Sequence, residues 1–162
     1  MRTLNTARSI FFCLASVGLS ACGGDDGGDD TPVIGVDTYL GTWRTTSGSI
    51  DLTCDGQQVS LPTTGESMLV ERGAGSDLRI PEDEGCPDRL LDVIDGEARL
   101  AAPITCTETD EDGTFELTLQ SYTLAASNAQ RATESGQGTA TATIDGTDIA
   151  CTFSVSGELE KL

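Results

Sequence analysis

Four cysteines offer the clearest chemistry in this sequence, because their spacing separates two uses of a thiol. Cys54, Cys86, Cys106 and Cys151 lie far apart along the chain, and the sequence contains no histidine. Zinc sites instead use closely spaced Cys-x-x-Cys pairs and histidine. An even number of well-separated cysteines is typical of disulfides in an exported domain. The spacing therefore predicts two disulfides and no zinc site.

Acidic side chains offer one candidate metal site. Glu108, Asp110 and Asp112 precede Gly113 in a segment that resembles the start of an EF-hand calcium loop. The resemblance implies weak calcium binding by these three carboxylates. However, a glutamate stands at the first position, and Leu119 occupies the position of the bidentate glutamate. An acidic hairpin turn is the favoured interpretation, and we expect no bound cofactor.

The charge balance excludes several function classes. The chain has 27 acidic and 9 basic residues, giving a net charge of −18 at pH 7. Such a field repels phosphate backbones, so nucleic-acid binding is excluded. The absence of histidine removes the commonest general base and every Ser-His-Asp or Cys-His arrangement. We therefore predict that the protein is not an enzyme, with catalysis by carboxylates alone, as in glycosidases, as the alternative.

The elements that must position these residues are predicted to be strands. Apolar Ile149, Cys151, Phe153 and Val155 alternate with polar residues, the period of a strand with one buried face. Asp-Gly pairs at 55–56, 95–96, 112–113 and 145–146 mark hairpin turns. Residues 127–136 lack an apolar face and are expected to form a short helical turn or a loop. Eight to ten strands in a barrel-like, up-and-down antiparallel meander are predicted, with a β-sandwich as the alternative.

Two details refine this all-β prediction. Gly41 and Trp43 resemble the Gly-x-Trp start of lipocalin-like barrels, which implies that the tryptophan plugs the barrel floor; an ordinary core tryptophan is the alternative. Three of the four cysteines fall on the apolar phase of their strands. Because strands alternate in direction, Cys106 and Cys151 lie toward the same end of the sheet. The favoured pairing is Cys106 with Cys151 and Cys54 with Cys86.

The N-terminal segment has the pattern of an export signal. Arg2 and Arg8 are the only charged residues among the first 21, and residues 10–18 are almost entirely apolar. The apolar stretch is shorter than the roughly 20 residues that a membrane-spanning helix needs. We therefore predict that residues 1–21 form a signal peptide.

The end of this segment, Leu19-Ser20-Ala21-Cys22, resembles the lipobox of bacterial lipoproteins. The resemblance implies cleavage between Ala21 and Cys22 and lipidation of the Cys22 thiol, with several acyl chains anchoring the protein to a membrane. Residues 22–36 are then the lipidated cysteine and a disordered Gly/Asp tether. Residues 37–162 form the β-domain, in the periplasm or at the cell surface. Glycine rather than aspartate after the cysteine favours the outer membrane over the inner membrane.

The overall resemblance is to small, cysteine-containing, β-rich bacterial lipoproteins. It favours an envelope-anchored lipoprotein whose non-enzymatic β-domain binds a protein or surface partner. The alternative is a lipocalin-like carrier of a small apolar ligand. A carrier needs a cavity lined by apolar side chains, and the sequence alone does not decide between these two functions.

Overall fold

A ten-stranded antiparallel sheet makes up most of the computed structural model, which describes residues 34–82, 85–109, 113–144 and 147–162. Pairing between the first and last strands gives the sheet a ring of hydrogen bonds. The prediction of an all-β antiparallel fold is confirmed. In chain order the elements are α1 (Val36–Tyr39), β1 (Gly41–Cys54), β2 (Gln57–Pro62), β3 (Ser67–Arg72), β4 (Leu78–Ile80), β5 (Arg89–Ile94), β6 (Glu97–Leu100), β7 (Ile104–Thr109), β8 (Gly113–Asn128), β9 (Arg131–Ile144) and β10 (Thr147–Lys161).

The ring follows the chain in up-and-down order once two interrupted strands are recognised. β2 and β3 pair with successive parts of the same edge of β1, and an irregular segment at 63–66 separates them. In the same way, β7 and β6 share one edge of β8. If each interrupted pair is counted as one strand, the barrel has eight strands: β1, β2/β3, β4, β5, β6/β7, β8, β9 and β10. An eight-stranded barrel is either filled by its own side chains or able to hold one small ligand.

Asp-Gly turns form two of the hairpins as the sequence predicts. Asp55 and Gly56 have φ angles of 48° and 79°, and Asp95 and Gly96 have φ angles of 52° and 80°. Positive φ at both central residues is the requirement of the hairpin turn that Asp-Gly favours. Residues 145–146 and 112 lie outside the described residues, but the strands that flank them pair in hairpin register.

The expectation of a helical turn or loop at residues 127–136 is wrong. These residues form the end of β8, a tight turn and the start of β9. The inward positions of β9 are Ala132, Glu134, Gly136, Gly138 and Ala140, so the strand has almost no large apolar side chain to reveal its period. Its glycines accommodate rings from neighbouring strands: a Cβ on Gly138 would lie 2.5 Å from the Phe153 ring.

The barrel is closed at the end where β1 begins. Trp43 and Tyr39 are fully buried there, and the Trp43 Nε1 donates a hydrogen bond to the Tyr39 carbonyl oxygen at 2.7 Å. The Tyr39 hydroxyl donates in turn to the Gly96 carbonyl oxygen, and burial raises the pKa of Tyr39. Ile34 and Val36 also pack against this core. The packed chain therefore starts before residue 37, where the sequence places the boundary of the β-domain.

The described residues contain two disulfides, but the pairing favoured from the sequence is wrong. The bonds join Cys54 to Cys151 and Cys86 to Cys106. Cys106 and Cys151 do lie in one row across the sheet, but β8 and β9 separate them, a gap of about 14 Å at the usual strand spacing. Ring closure instead places Cys54 directly opposite Cys151, with a Cα–Cα distance of 4.3 Å.

The short helix α1 has four residues. In the described ranges, no helix has the length and apolar character needed to cross a membrane.

Candidate ligand-binding site

The end of the barrel opposite Trp43 is open along one side because the strands of the barrel differ in length. β1, β8, β9 and β10 have 14 to 16 residues each, whereas β4 has three and β5 has six. The long strands therefore extend beyond the short ones as a curved sheet. The concave face of this extension, with β2 and β7 at its edges, is called the trough below.

The inward rows of the trough are mainly apolar. Residues directly opposite on paired strands share a face, so each row can be read from the strand pairing. Val59 and Leu61 of β2 lie opposite Leu52 and Ile50. Val59 is 55% exposed and Leu61 50% exposed, so the trough presents apolar surface to solvent. The larger apolar members of these rows are Ile50, Leu52, Val59, Leu61, Ile104, Phe115, Leu117, Leu119, Ile149, Phe153 and Val155.

A cavity of about 280 Å³ lies where the trough meets the barrel interior. This volume is just below the range of roughly 300–1,000 Å³ typical of ligand pockets. Both apolar and polar side chains line the cavity. The apolar wall contains Ile50, Met68, Ile104, Leu117, Leu119, Phe153 and Val155.

Four side chains form a polar belt at the base of the cavity, joined by an ion pair, a cation–π contact and a hydrogen bond. Arg89 forms an ion pair with Glu82, and its guanidinium lies 4.8 Å from the centre of the Tyr122 ring. The Tyr122 hydroxyl donates to the Glu134 Oε2 at 2.8 Å. Burial raises the pKa of Tyr122, so the phenol is a neutral donor. Burial alone lowers the pKa of Arg89, but its acidic neighbours and Tyr122 outweigh that effect and raise it. Arg89 is therefore a permanent cation.

Beside this belt, two opposed glycines leave room for two oxygen-bearing side chains. Gly48 and Gly157 are cross-strand partners on β1 and β10. A Cβ on Gly48 would lie 2.7 Å from the Thr63 Oγ1, and one on Gly157 would lie 2.8 Å from the Glu134 Oε1. Thr63 is 4% exposed, and within the described part of the chain its buried Oγ1 has no hydrogen-bond partner. Such an oxygen is costly unless a ligand or water supplies a partner.

Among the site residues predicted from the sequence, the disulfide cysteine Cys106 is the one described as lining the cavity. Ala21 and Cys22 are outside the described residues, as are Asp110 and Asp112. The backbone of Glu108 pairs with Phe115 in β7. Among the residues whose side chains are described, no three histidine, cysteine, aspartate or glutamate residues form a group that could hold a metal ion.

Sequence reasoning missed the polar belt entirely. Arg89 and Glu134 sit at inward strand positions, where a charge interrupts the apolar period, and this interruption is the available signal. In a chain with 27 acidic residues, a single inward glutamate does not stand out. The position of Glu134 becomes clear from the strand register, which pairs it with Leu124 on β8 and Gly157 on β10.

Comparisons with protein-family models, with curated proteins and with solved structures found no match to this chain. The function is therefore inferred from the geometry of the site.

Proposed function

We propose that the β-domain binds a small molecule with an apolar part in the cavity at the mouth of the barrel. The observation that carries this proposal is the cavity itself, with seven apolar side chains on its wall and polar groups at its base. Apolar side chains that line a cavity open to solvent lack the stabilisation that their burial would contribute, and a ligand that covers them supplies it. Binding proteins use this combination for affinity and orientation.

The geometry favours the carrier over the protein-binding domain that the sequence favours. A protein partner typically needs a surface patch that buries about 800 Å² on each side. The apolar surface here is concave and leads into a closed barrel, a shape that suits a narrow ligand rather than a second folded domain. Val59 and Leu61 extend the apolar wall outward, so a tail longer than the cavity still meets apolar contacts.

We further propose that the protein is a lipoprotein of the cell envelope, anchored through Cys22, with the outer membrane as its favoured location. The lipobox-like residues and the two disulfides support this proposal, since disulfides persist in oxidising compartments. Metabolic labelling with palmitate tests it. Label should enter the wild-type chain and be lost in Cys22→Ala. A wild-type chain that takes no label overturns the anchor.

Native mass spectrometry of the protein purified from its own envelope tests the binding proposal. The wild-type protein should retain a lipid-like adduct, and Leu117→Arg, which places a charge in the cavity wall, should lose it. The matched control is Leu69→Arg, because Leu69 is 44% exposed on the outer face. It should keep the adduct.

Circular dichroism shows whether each variant folds. If Leu117→Arg does not fold, Val59→Arg replaces it, because Val59 is exposed in the outer trough. Absence of any adduct on wild-type protein, together with a specific crosslinked protein, overturns the carrier proposal.

A further inference from the structure

The polar end of the cavity carries more negative than positive charge. Among the described side chains that line it, Glu66, Glu82 and Glu134 are carboxylates, and Arg89 is the one cation. Arg89 is already paired with Glu82 and stacked on Tyr122. The positive charge of Arg89 is therefore already neutralised by Glu82, and the guanidinium is poorly placed to bind an anionic ligand.

Glu134 forms no ion pair among the described side chains, although its charge is close enough to Arg89 to help raise the pKa of that guanidinium. Its described hydrogen bond comes from the neutral Tyr122 hydroxyl, and its other oxygen, Oε1, lies over Gly157. The carboxylate sits at an inward position of β9 and lines the cavity. It can accept further hydrogen bonds, and a charged donor forms stronger bonds with it than a neutral one.

The buried Thr63 hydroxyl is an independent sign of a ligand at this place. It lines the same cavity, is more than nine-tenths buried and has no hydrogen-bond partner among the described residues. It lies over Gly48, directly across the sheet from Gly157, over which Glu134 lies. A group placed between these two oxygens meets an acceptor on each side.

Together these observations define the head group that fits. Resting on the proposed function, we infer that the bound molecule is an amphiphile with a protonated amine, whose N–H groups donate to Glu134 and Thr63 while its tail lies in the trough. An ammonium group has three donors and no acceptor, which matches this set of oxygens. A calcium ion needs six to eight oxygen ligands, more than the arrangement offers.

Calorimetric titration of the whole chain, with both disulfides oxidised, tests the inference with three probes of equal tail length. The probes are decylamine, decanol and decanoate, used below their micelle-forming concentrations at about 0.15 M salt to screen general attraction. Decylamine should bind at least about tenfold more tightly than decanoate, with decanol between them.

Two variants and two controls locate the preference. Glu134→Gln should weaken decylamine binding about tenfold and leave decanol nearly unchanged. Glu116→Gln removes the same charge from the exposed outer face of β8 and should change decylamine binding less than about twofold. Thr63→Val should weaken decylamine severalfold, whereas Thr139→Val, on the outer face, should not. Circular dichroism confirms that each variant folds.

The outcomes separate the inference from the function on which it rests. If none of the three probes binds, the proposed function fails. If all three bind alike, or decanoate binds best, the cavity is a binding site but the amine inference is overturned. Equal losses in Glu134→Gln and Glu116→Gln also overturn it, because the preference then reflects net charge alone.

Discussion

At the scale of single residues, the buried hydroxyl of Thr63 lowers the stability of the fold, because it has no hydrogen-bond partner among the described residues. Replacing Thr63 with valine keeps the shape and removes the buried oxygen that lacks a partner. We predict that Thr63→Val raises the free energy of unfolding by about 1 kcal/mol, the lower end of the penalty for such a group. Urea unfolding of the unliganded protein measures this change.

The control for this prediction is Thr139→Val on the exposed face of β9, which should change stability by less than about 0.5 kcal/mol. A clear loss of stability in Thr63→Val would mean that the hydroxyl serves the fold. The gain in stability, combined with weaker amine binding, is the pattern expected of a residue kept for function.

Gly138 is required by packing rather than by backbone conformation. A Cβ there would overlap the Thr118 carbonyl oxygen and lie 2.5 Å from the Phe153 ring. We predict that Gly138→Ala lowers the free energy of unfolding by roughly 1–3 kcal/mol, the usual cost of overpacking. Gly35→Ala is the control, since nothing lies within 4 Å of a Cβ at that position. Similar urea midpoints for the two variants would contradict the described packing of β9.

At the scale of elements, Asp88 holds the loop between β4 and β5 against β4. Its carboxylate accepts a hydrogen bond from the Arg79 Nε at 2.6 Å and one from the Glu82 backbone N–H at 3.3 Å. The hydrogen bond from Arg79, followed by that from Glu82, lowers the pKa of Asp88 from its ordinary value of 3.8. The folded state therefore favours the charged form.

The sign of the pH dependence follows from this lowered pKa. The contribution of Asp88 is fully present above the unfolded pKa and is lost as the pH falls through the folded pKa. We predict that the wild-type protein loses stability more steeply than Asp88→Asn in the acid range below pH 3.8. Urea titrations at a series of pH values compare the two proteins, and parallel curves would contradict the ion pair.

The two disulfides constrain different elements and should differ in both stability and function. Cys86–Cys106 spans 20 residues and ties the β4–β5 loop to β7, whereas Cys54–Cys151 spans 97 residues and joins β1 to β10. Chain entropy predicts losses of about 3 and about 4.7 kcal/mol for their serine double variants. Loss of Cys86–Cys106 should weaken decylamine binding more, because that loop carries Glu82. Equal binding by both double variants would contradict a role for the loop in the site.

At the scale of the whole molecule, local signals in the sequence predict the strands and turns, but not how the ring closes. The Asp-Gly turns and the alternation around Phe153 depend on neighbouring residues, so they can be recognised directly. The partner of Cys54 depends on β10 meeting β1, a contact across 97 residues. That contact overturned the favoured disulfide pairing.

The candidate site was harder to predict than the fold, because it depends on register between distant strands. Thr63 lies in the irregular segment between β2 and β3, where no periodic pattern applies. Glu134 lies on a strand whose small inward residues conceal its period. The open end of the barrel follows from the shortness of β4 and β5, and strand ends are poorly defined by composition. These features become visible only when the strands are paired.

The central claim is that the mouth of the barrel is a binding site, and methyl NMR of the whole chain tests it most directly. Decylamine should shift the methyl signals of Ile50, Leu117 and Val155 in a saturable way while Leu69 and Leu90 on the outer surface stay unchanged. Shifts confined to the outer surface, or no saturable shift in the cavity wall, would contradict the account.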